Sequence, residues 1–416
     1  MRHKKHTFLL FLAAVVAIAC FGCESFLDLL GLGAALPKES VRFYTGQEQE
    51  AALLQESEIL SYESPYAHCN STWFRDQLTG EDLSIYNAYL YAMEHGYNGF
   101  ELYVENNKKG FYNIRRALSL DSPFLEQNFN KDGESNLLWD ANFFGERVHF
   151  KIGHFTQDAW NNKLLALAKC EEIVSGIPDD RQTPQQKMEY LFDYVCDHVE
   201  YTEYESLAGQ EYLYDAVIKG QTNCDGYSNM LCLLFNLAGV DACEAMGDNV
   251  ETNTDQEESA PEDAVGHTWV VAKLDGNFYN FDATYEDTAS KNNETKHLYF
   301  AFSDDLLDIK YLDCDELRPK CTDTARDFDY ADLVIDDLSK DNIKKVAKLT
   351  DSRVSKKQKE TLVLVKTAMS SDDLDNFLNS YINKTRKISK VNASMVTFDN
   401  FTCLKLTVKP WRMLHF

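Results

Sequence analysis

Thr222-Asn223-Cys224-Asp225-Gly226-Tyr227, then Gly266-His267-Thr268-Trp269, then Phe281-Asp282-Ala283-Thr284-Tyr285 set a thiol, an imidazole and a carboxylate in that order along the chain. Each stretch predicts its own local structure. From Cys224 onward Met230, Leu231, Leu234, Phe235 and Leu237 recur at helical spacing and Gly239 follows as a stop, so Cys224 stands at or just before a helix N-terminus. Thr268 to Leu274 and Asn277 to Asp282 read as strands, and Asp275-Gly276 between them most favours a two-residue type I′ hairpin. Pairing Leu274 with Asn277 puts Asp282 opposite Trp269 and His267 opposite Thr284. Residues two apart share a face of the pleat, so His267 and Asp282 become diagonal neighbours roughly 7 Å apart at the backbone. A turn one residue longer would put them on opposite faces.

A thiol attacks a carbonyl as the thiolate, so it needs a base to take its proton, and the base needs a partner to hold its tautomer and stabilise its cation. A helix N-terminus favours the thiolate. Singly the signals are ordinary. The chain has 11 cysteines, of which Cys196, Cys232 and Cys243 read as small core residues. A histidine at a strand start is commonly a bonded edge residue, and an aspartate closing a strand commonly forms a turn. Together they identify Cys224 as candidate nucleophile, His267 as general base then acid, and Asp282 as the residue orienting the imidazole. The backbone N–H of Cys224 is the natural first oxyanion donor, with Gln221 or a tyrosine of Tyr201 to Tyr204 as the second. Tyr227 and Trp269, close in sequence to the thiol and the imidazole, complete the oxyanion and substrate-binding candidates.

These residues resemble the transglutaminase-like superfamily, in the form found in bacterial surface proteins. There a helix ending in a Tyr-rich segment precedes a Gly-x-x-x-Cys-x-Gly-Tyr turn, followed by His-x-Trp and a hairpin ending in Asp-x-Thr. The matching pieces here are Leu191-Phe192-Asp193-Tyr194 through Val199-Glu200-Tyr201, Asp215-Ala216 leading to Gly220, Cys224-Asp225-Gly226-Tyr227, His267-Thr268-Trp269, Asp282-Ala283-Thr284 and Leu298-Tyr299-Phe300. The resemblance runs from about Thr183 to Ser303, with a weaker echo from Tyr112 to Asn130. It implies a papain-like α+β core, with the Cys-bearing helix packed on an antiparallel sheet. It also implies a Cys-His-Asp triad acting on amides through a thioester, as in transglutaminases, proteases and peptide deglycosylases. Two departures bear on substrate geometry: Asn223 stands where a small apolar residue is frequent, and Val270 where Asn is frequent.

Outward from this core, Asp248 to Asp263 is rich in Asp, Glu, Asn and Thr without apolar periodicity and reads as a mobile loop over the cleft, foremost a solvated insertion, with repulsion of acidic substrates or preference for basic ones as the alternative. Thr183-Pro184 opens a helix carrying Met188, Leu191, Phe192, Val195 and Val199. Four segments follow: a lipoprotein signal over 1–20, an N-terminal mixed α/β module over 21–180, the transglutaminase-like domain over 181–312, and a small C-terminal α/β module over 313–416. Helical stretches at Leu83 to Met93 and Trp160 to Ile173 mark the second. A strand at Thr361 to Val365, a helix from Ser371 to Ile382 and strands at Met395 to Phe398 and Cys403 to Val408 mark the last.

Met1-Arg2-His3-Lys4-Lys5-His6, an apolar run from Phe8 to Ala19 and small residues before Cys20 predict export with lipid attachment at Cys20, with Cys23 as the alternative. The expected location is the extracytoplasmic face of a bacterial membrane. A net charge of −26 over 416 residues excludes a general nucleic-acid binder and argues against attraction to anionic lipid, so the anchor carries any membrane attachment. The one Cys-x-x-Cys pair, Cys20 and Cys23, falls in the expected export signal, the other cysteines offer no zinc spacing, and neither metal nor cofactor is expected. Cys314 and Cys321 are close enough in sequence to bridge, though nothing requires it. The expected partner is a peptide or protein substrate. The expected activity is hydrolysis in the manner of a cysteine peptidase; the alternatives are a protein-crosslinking transglutaminase and a surface binding module with an idle triad.

Overall fold

The computed structural model describes residues 37–45, 49–104, 110–125, 142–144, 147–152, 157–204, 209–250, 264–287, 297–307, 311–312, 314, 316–397 and 401–410. The expected signal segment with Cys20 and Cys23 lies outside them, as do 251–263 of the acidic stretch.

The amino-terminal part builds a five-stranded antiparallel sheet in the order β2-β1-β3-β5-β4, from β1 (Ser40–Thr45), β2 (Gln49–Gln55), β3 (Gly99–Tyr103), β4 (Asn142–Phe144) and β5 (Arg147–Lys151). Strand alternation sends Val41, Phe43, Phe100, Leu102, Val148 and Phe150 inward, all buried. Of the helices here, α1 (Glu81–Glu94) packs on β3 and on α2 (Gly110–Asp121), while α3 (Gln157–Ser175) packs against the helix that begins at Cys224. The first and third contain the two expected helical stretches and extend them at both ends.

Next comes α4 (Pro184–His198), where the Thr183 hydroxyl accepts from the Gln186 N–H, a capping box with proline in the first turn. The short strand β6 (Glu200–Tyr201) then pairs in parallel with β7 (Gln221–Thr222), which runs straight into α5 (Cys224–Leu237). Between β6 and β7, a π-helical turn over Asp215–Lys219 ends at Gly220. There φ is +69° and an added Cβ would stand 3.0 Å from the His198 carbonyl oxygen, so glycine satisfies both torsion and space.

An antiparallel sheet β10-β9-β8-β11 follows, from β8 (Ala242–Val250), β9 (Ala264–Leu274), β10 (Asn277–Phe281) and β11 (Tyr311–Leu312). Its hairpin has the expected register: Leu274 pairs with Asn277 and Val270 with Phe281, with Asp275 and Gly276 at φ +50° and +93° as a type I′ turn demands. Two expectations need correction. Asp248, Asn249 and Val250 belong to β8 rather than to a loop, because they pair with Gly266, Val265 and Ala264. By the same pairing β9 begins at Ala264, so His267 lies inside the strand and not at its start.

One buried apolar cluster runs from Val41 to Cys321, so the amino-terminal sheet and the Cys-bearing helix share a core. The Asn236 amide donates to the Cys69 carbonyl at 3.3 Å and the Trp73 indole to the Leu317 carbonyl at 2.8 Å, tying distant segments together. A second cluster belongs to the carboxy-terminal module. That module is a sheet in the order β12-β13-β15-β14, from β12 (Leu333–Ile335), β13 (Glu360–Val365), β14 (Ile388–Thr397) and β15 (Thr402–Pro410), covered by α6 (Lys340–Ser355) and α7 (Ser371–Ile382). The helix α6 and strand β12 were not among the expected elements. Leu364, Phe401 and Cys403 of this module pack against Leu298, Leu306, Phe328 and Ala331.

Candidate active site

Chain punctuation places the thiol. The parallel pairing of Tyr201 with Thr222 and the bond from the Thr202 N–H to the Thr222 carbonyl hold the residues just before Cys224. Cys224 is the first residue of α5 and half-buried, with Asn223 as N-cap. Its N–H therefore belongs to the first helical turn, whose donors lack intrahelical acceptors. Gly226 sits where Thr222 presses on that turn: an added Cβ would lie 2.0 Å from the Thr222 Oγ1.

The hairpin delivers the other two groups. His267 Nε2 lies 2.7 Å from Asp282 Oδ2, with both side chains buried. The imidazole is also hydrogen-bonded to the Cys224 side chain. Nε2 is committed to Asp282, so Nδ1 is the nitrogen left for the thiol. Burial works against the imidazolium, but the Asp282 charge and hydrogen bond, together with Cys224, outweigh it and push the His267 pKa well above 6.5. Asp282 is itself held firmly. Its Oδ1 accepts from the Tyr285 N–H at 2.9 Å, its N–H donates to the Tyr299 carbonyl at 2.9 Å, and its carbonyl accepts from the Glu286 N–H at 3.1 Å. The carboxylate thus caps the one-turn helix over 283–287 while orienting the imidazole.

A second link joins the nucleophile helix to the base strand. The Thr268 hydroxyl donates to Asp225 Oδ1 at 2.8 Å, and the Asn223 amide donates to Asp225 Oδ2 at 3.1 Å. The residue after the nucleophile is therefore bonded to the residue after the base.

The remaining candidates fall elsewhere. Tyr227 is buried and its hydroxyl donates to the Val199 carbonyl and to Asp287 Oδ2, both at 2.8 Å. Burial and then Asp287 raise its pKa, keeping it a neutral donor. Trp269 is buried too, stacked on His267 at 6.1 Å with its Nε1 bonded to Asn280 Oδ1 at 2.9 Å. Both brace the site from behind and offer no surface to a substrate, which corrects their assignment as substrate-binding residues. Gln221 is exposed, with its amide 3.5 Å from Glu200 Oε2. Tyr201 is exposed, while the Tyr204 hydroxyl bonds Asp215 Oδ2 at 3.1 Å and Thr222 Oγ1 at 3.2 Å. Tyr204 supports the strand before the nucleophile.

Four buried supports were not anticipated: Glu286, Asp287, Asn280 and Asp215. Glu286 accepts the His297 and Tyr299 N–H groups at 2.6 and 3.0 Å, pinning the segment that holds Asp282. In the sequence Glu286-Asp287 follows the hairpin like any solvated acidic pair, and no local signal separates the two cases.

Nine cysteines among the described residues are free, Cys314 and Cys321 included. Burial raises the thiol pKa of Cys69, Cys170, Cys196, Cys232, Cys243, Cys314, Cys321 and Cys403. No group of three or more metal-binding side chains occurs among the described residues. Nor is any described helix long and apolar enough to cross a membrane. The concavity walled by Leu298, Phe302, Phe328, Leu364, Phe401 and Cys403 is the seam between the two cores and includes none of Cys224, His267 and Asp282.

The fold thus brings together a thiol at a helix start, an imidazole and a buried carboxylate. Residues 171–283 match the family model of the transglutaminase-like superfamily, and the chain carries a transglutaminase-like domain there. Human kyphoscoliosis peptidase is 26% identical over 136 residues, which are 31% of this chain and 20% of that protein. The periplasmic domain of TgpA from Pseudomonas aeruginosa is similar over 35% of this chain and 55% of its own, at 17% identity and a TM-score of 0.23. A candidate cysteine protease from Cytophaga hutchinsonii is similar over 33% of this chain and 50% of its own, at 12% identity and a TM-score of 0.23. The chain thus spans about a fifth of the curated relative.

Proposed function

We propose that this protein is an exported, lipid-anchored thiol hydrolase of papain-like core, acting on peptide or amide bonds with Cys224, His267 and Asp282 as its triad. The single observation that carries the reading is the buried 2.7 Å bond between His267 and Asp282, made by an imidazole that also bonds the Cys224 side chain. Nδ1 of His267 takes the thiol proton, and the thiolate forms a bond to the substrate carbonyl carbon. The Cys224 N–H donates to the resulting oxyanion. The imidazolium returns its proton to the departing amine as the C–N bond breaks, leaving a thioester. Water then gives a proton to Nδ1 and adds to the thioester, and collapse releases the acid while the sulfur recovers the proton. Asp282 holds the ring and stabilises its cation throughout.

The test is alkylation by iodoacetamide at mildly acidic pH, with modified cysteines located by mass spectrometry in the wild type and in Cys224→Ser. The six buried thiols are shielded, while Cys196 and Cys314 serve as half-buried references. Rapid labelling confined to Cys224, abolished by His267→Ala, is the expected result. Labelling of Cys224 no faster than Cys196 or Cys314 refutes the reading.

A further inference from the structure

The chain's charge is segregated by module. Residues 333–410 hold 15 Lys and Arg against 9 Asp and Glu, a surplus of six, so the rest of the chain carries 26 against 58. Within the carboxy-terminal module six positive groups line α6 and the end of α7, with the exposed Asp341 at the start of α6 as the nearest carboxylate on that helix before Lys344. Lys344 and Lys348 lie one turn apart on α6, Lys356 and Lys357 follow its end, and Arg386 and Lys387 follow α7; all six are exposed. The fold brings the two groups together. The Arg386 and Lys387 N–H groups donate to Asp351 at 2.9 and 3.1 Å, and the Lys387 ammonium bonds the Ser355 hydroxyl. Asp351, the carboxylate at this junction, is thus occupied by backbone donors. None of the six is in an ion pair among the described residues. The acidic residues of α7, Asp372, Asp373 and Asp375, sit in its first turns, about 15 Å away along a helix rising 1.5 Å per residue.

We propose that this basic face of α6 and the α7 end docks on a bilayer surface of anionic phospholipid. Six of the seven positive groups in and beside it are lysines, counting Lys384: compact, hydrated point charges on flexible stems, suited to diffuse attraction by a plane of phosphates rather than to bidentate capture of single carboxylates. A cluster of this size on one amphipathic surface is what anionic headgroups recognise. At ordinary ionic strength charges more than about 10 Å apart are largely screened, so the acidic remainder does not cancel the face locally. The overall charge of −26 therefore misjudges this surface.

The experiment uses the full chain with Cys20→Ser and Cys23→Ser, so that no acyl chain contributes, and measures co-sedimentation with two vesicle types. One is phosphatidylcholine alone; the other adds phosphatidylglycerol. The leader carries Arg2, Lys4 and Lys5 and adds its own excess on anionic vesicles, so the reading is the part of that excess which the α6 and α7 substitutions remove. That part is expected to be about tenfold or more at about 0.05 M salt, is lost near 1 M, and disappears in Lys344→Glu/Lys348→Glu/Arg386→Glu/Lys387→Glu. A milder Lys→Gln, Arg→Gln set, checked for an unchanged thermal transition, should lose most of it. No excess over neutral vesicles, or an excess the variants retain in full, overturns the proposal. So does retention by soluble polyglutamate without any vesicle excess, which would assign the face to acidic polypeptides.

Discussion

Replacing Gly226 by alanine should cost this protein stability, against the usual helix ranking. Gly226 is the third residue of α5, and in an exposed helix the exchange would gain about 1 kcal/mol. Here the new Cβ would stand 2.0 Å from Thr222 Oγ1, 2.6 Å from its Cγ2 and 2.7 Å from its Cβ. Rotating the threonine side chain moves the first two atoms but not the third. Thr222 is fully buried and its Oγ1 accepts from the Tyr204 hydroxyl, so it has no free space to enter. The strand β7 must then shift relative to the helix. Overpacking of this kind costs up to about 3 kcal/mol, which leaves a net loss of about 2 kcal/mol after the propensity gain. The strand also sets where Cys224 begins its helix, and a displacement near 1 Å can lower a rate by about a hundredfold. Urea unfolding gives the first quantity and the iodoacetamide rate of Cys224 the second. Adding Thr222→Ala removes two of the three close atoms and should recover about 1 kcal/mol as a coupling term. A Gly226→Ala protein as stable as the wild type or more so, with unchanged Cys224 labelling, refutes the steric reasoning.

Thr268→Val deletes the hydroxyl that joins the base strand to Asp225 while keeping the side chain's shape. A bond to a charged acceptor is worth about 1.5–3 kcal/mol, so Cys224 alkylation should slow and Thr268→Ser should restore it; equal rates in all three proteins refute the clasp. The raised His267 pKa makes a signed prediction. A group whose folded pKa exceeds its unfolded value contributes stability that is complete below the unfolded value and is lost as pH rises through the folded one. The stability gap between wild type and His267→Gln, measured by denaturation, should therefore be largest below about pH 6.5 and shrink on the alkaline side. A gap that grows with pH refutes the charge assignment.

Much of the site was legible because its determinants are local in the chain. Asp275-Gly276 imposes a type I′ turn, and the turn alone pairs Leu274 with Asn277, which brings His267 and Asp282 onto one face. The apolar spacing after Cys224 and the stop at Gly239 likewise set α5 without reference to the rest of the molecule. Thr183-Pro184 contains its own cap. Other features depend on segments far apart in sequence. The pairing of β8 with β9 across 251–263 decided that Asp248 to Val250 are strand, since their polar composition alone reads as loop. Burial decided that Tyr227 and Trp269 brace rather than bind, because an aromatic beside a reactive residue has the same letter in either role. The Thr268–Asp225 bond spans 43 residues and the Tyr227–Asp287 bond 60, separations over which no periodicity or turn rule operates. Net charge is a sum without position, so only the folding of the α7 end onto Asp351 could reveal a basic face on an acidic protein.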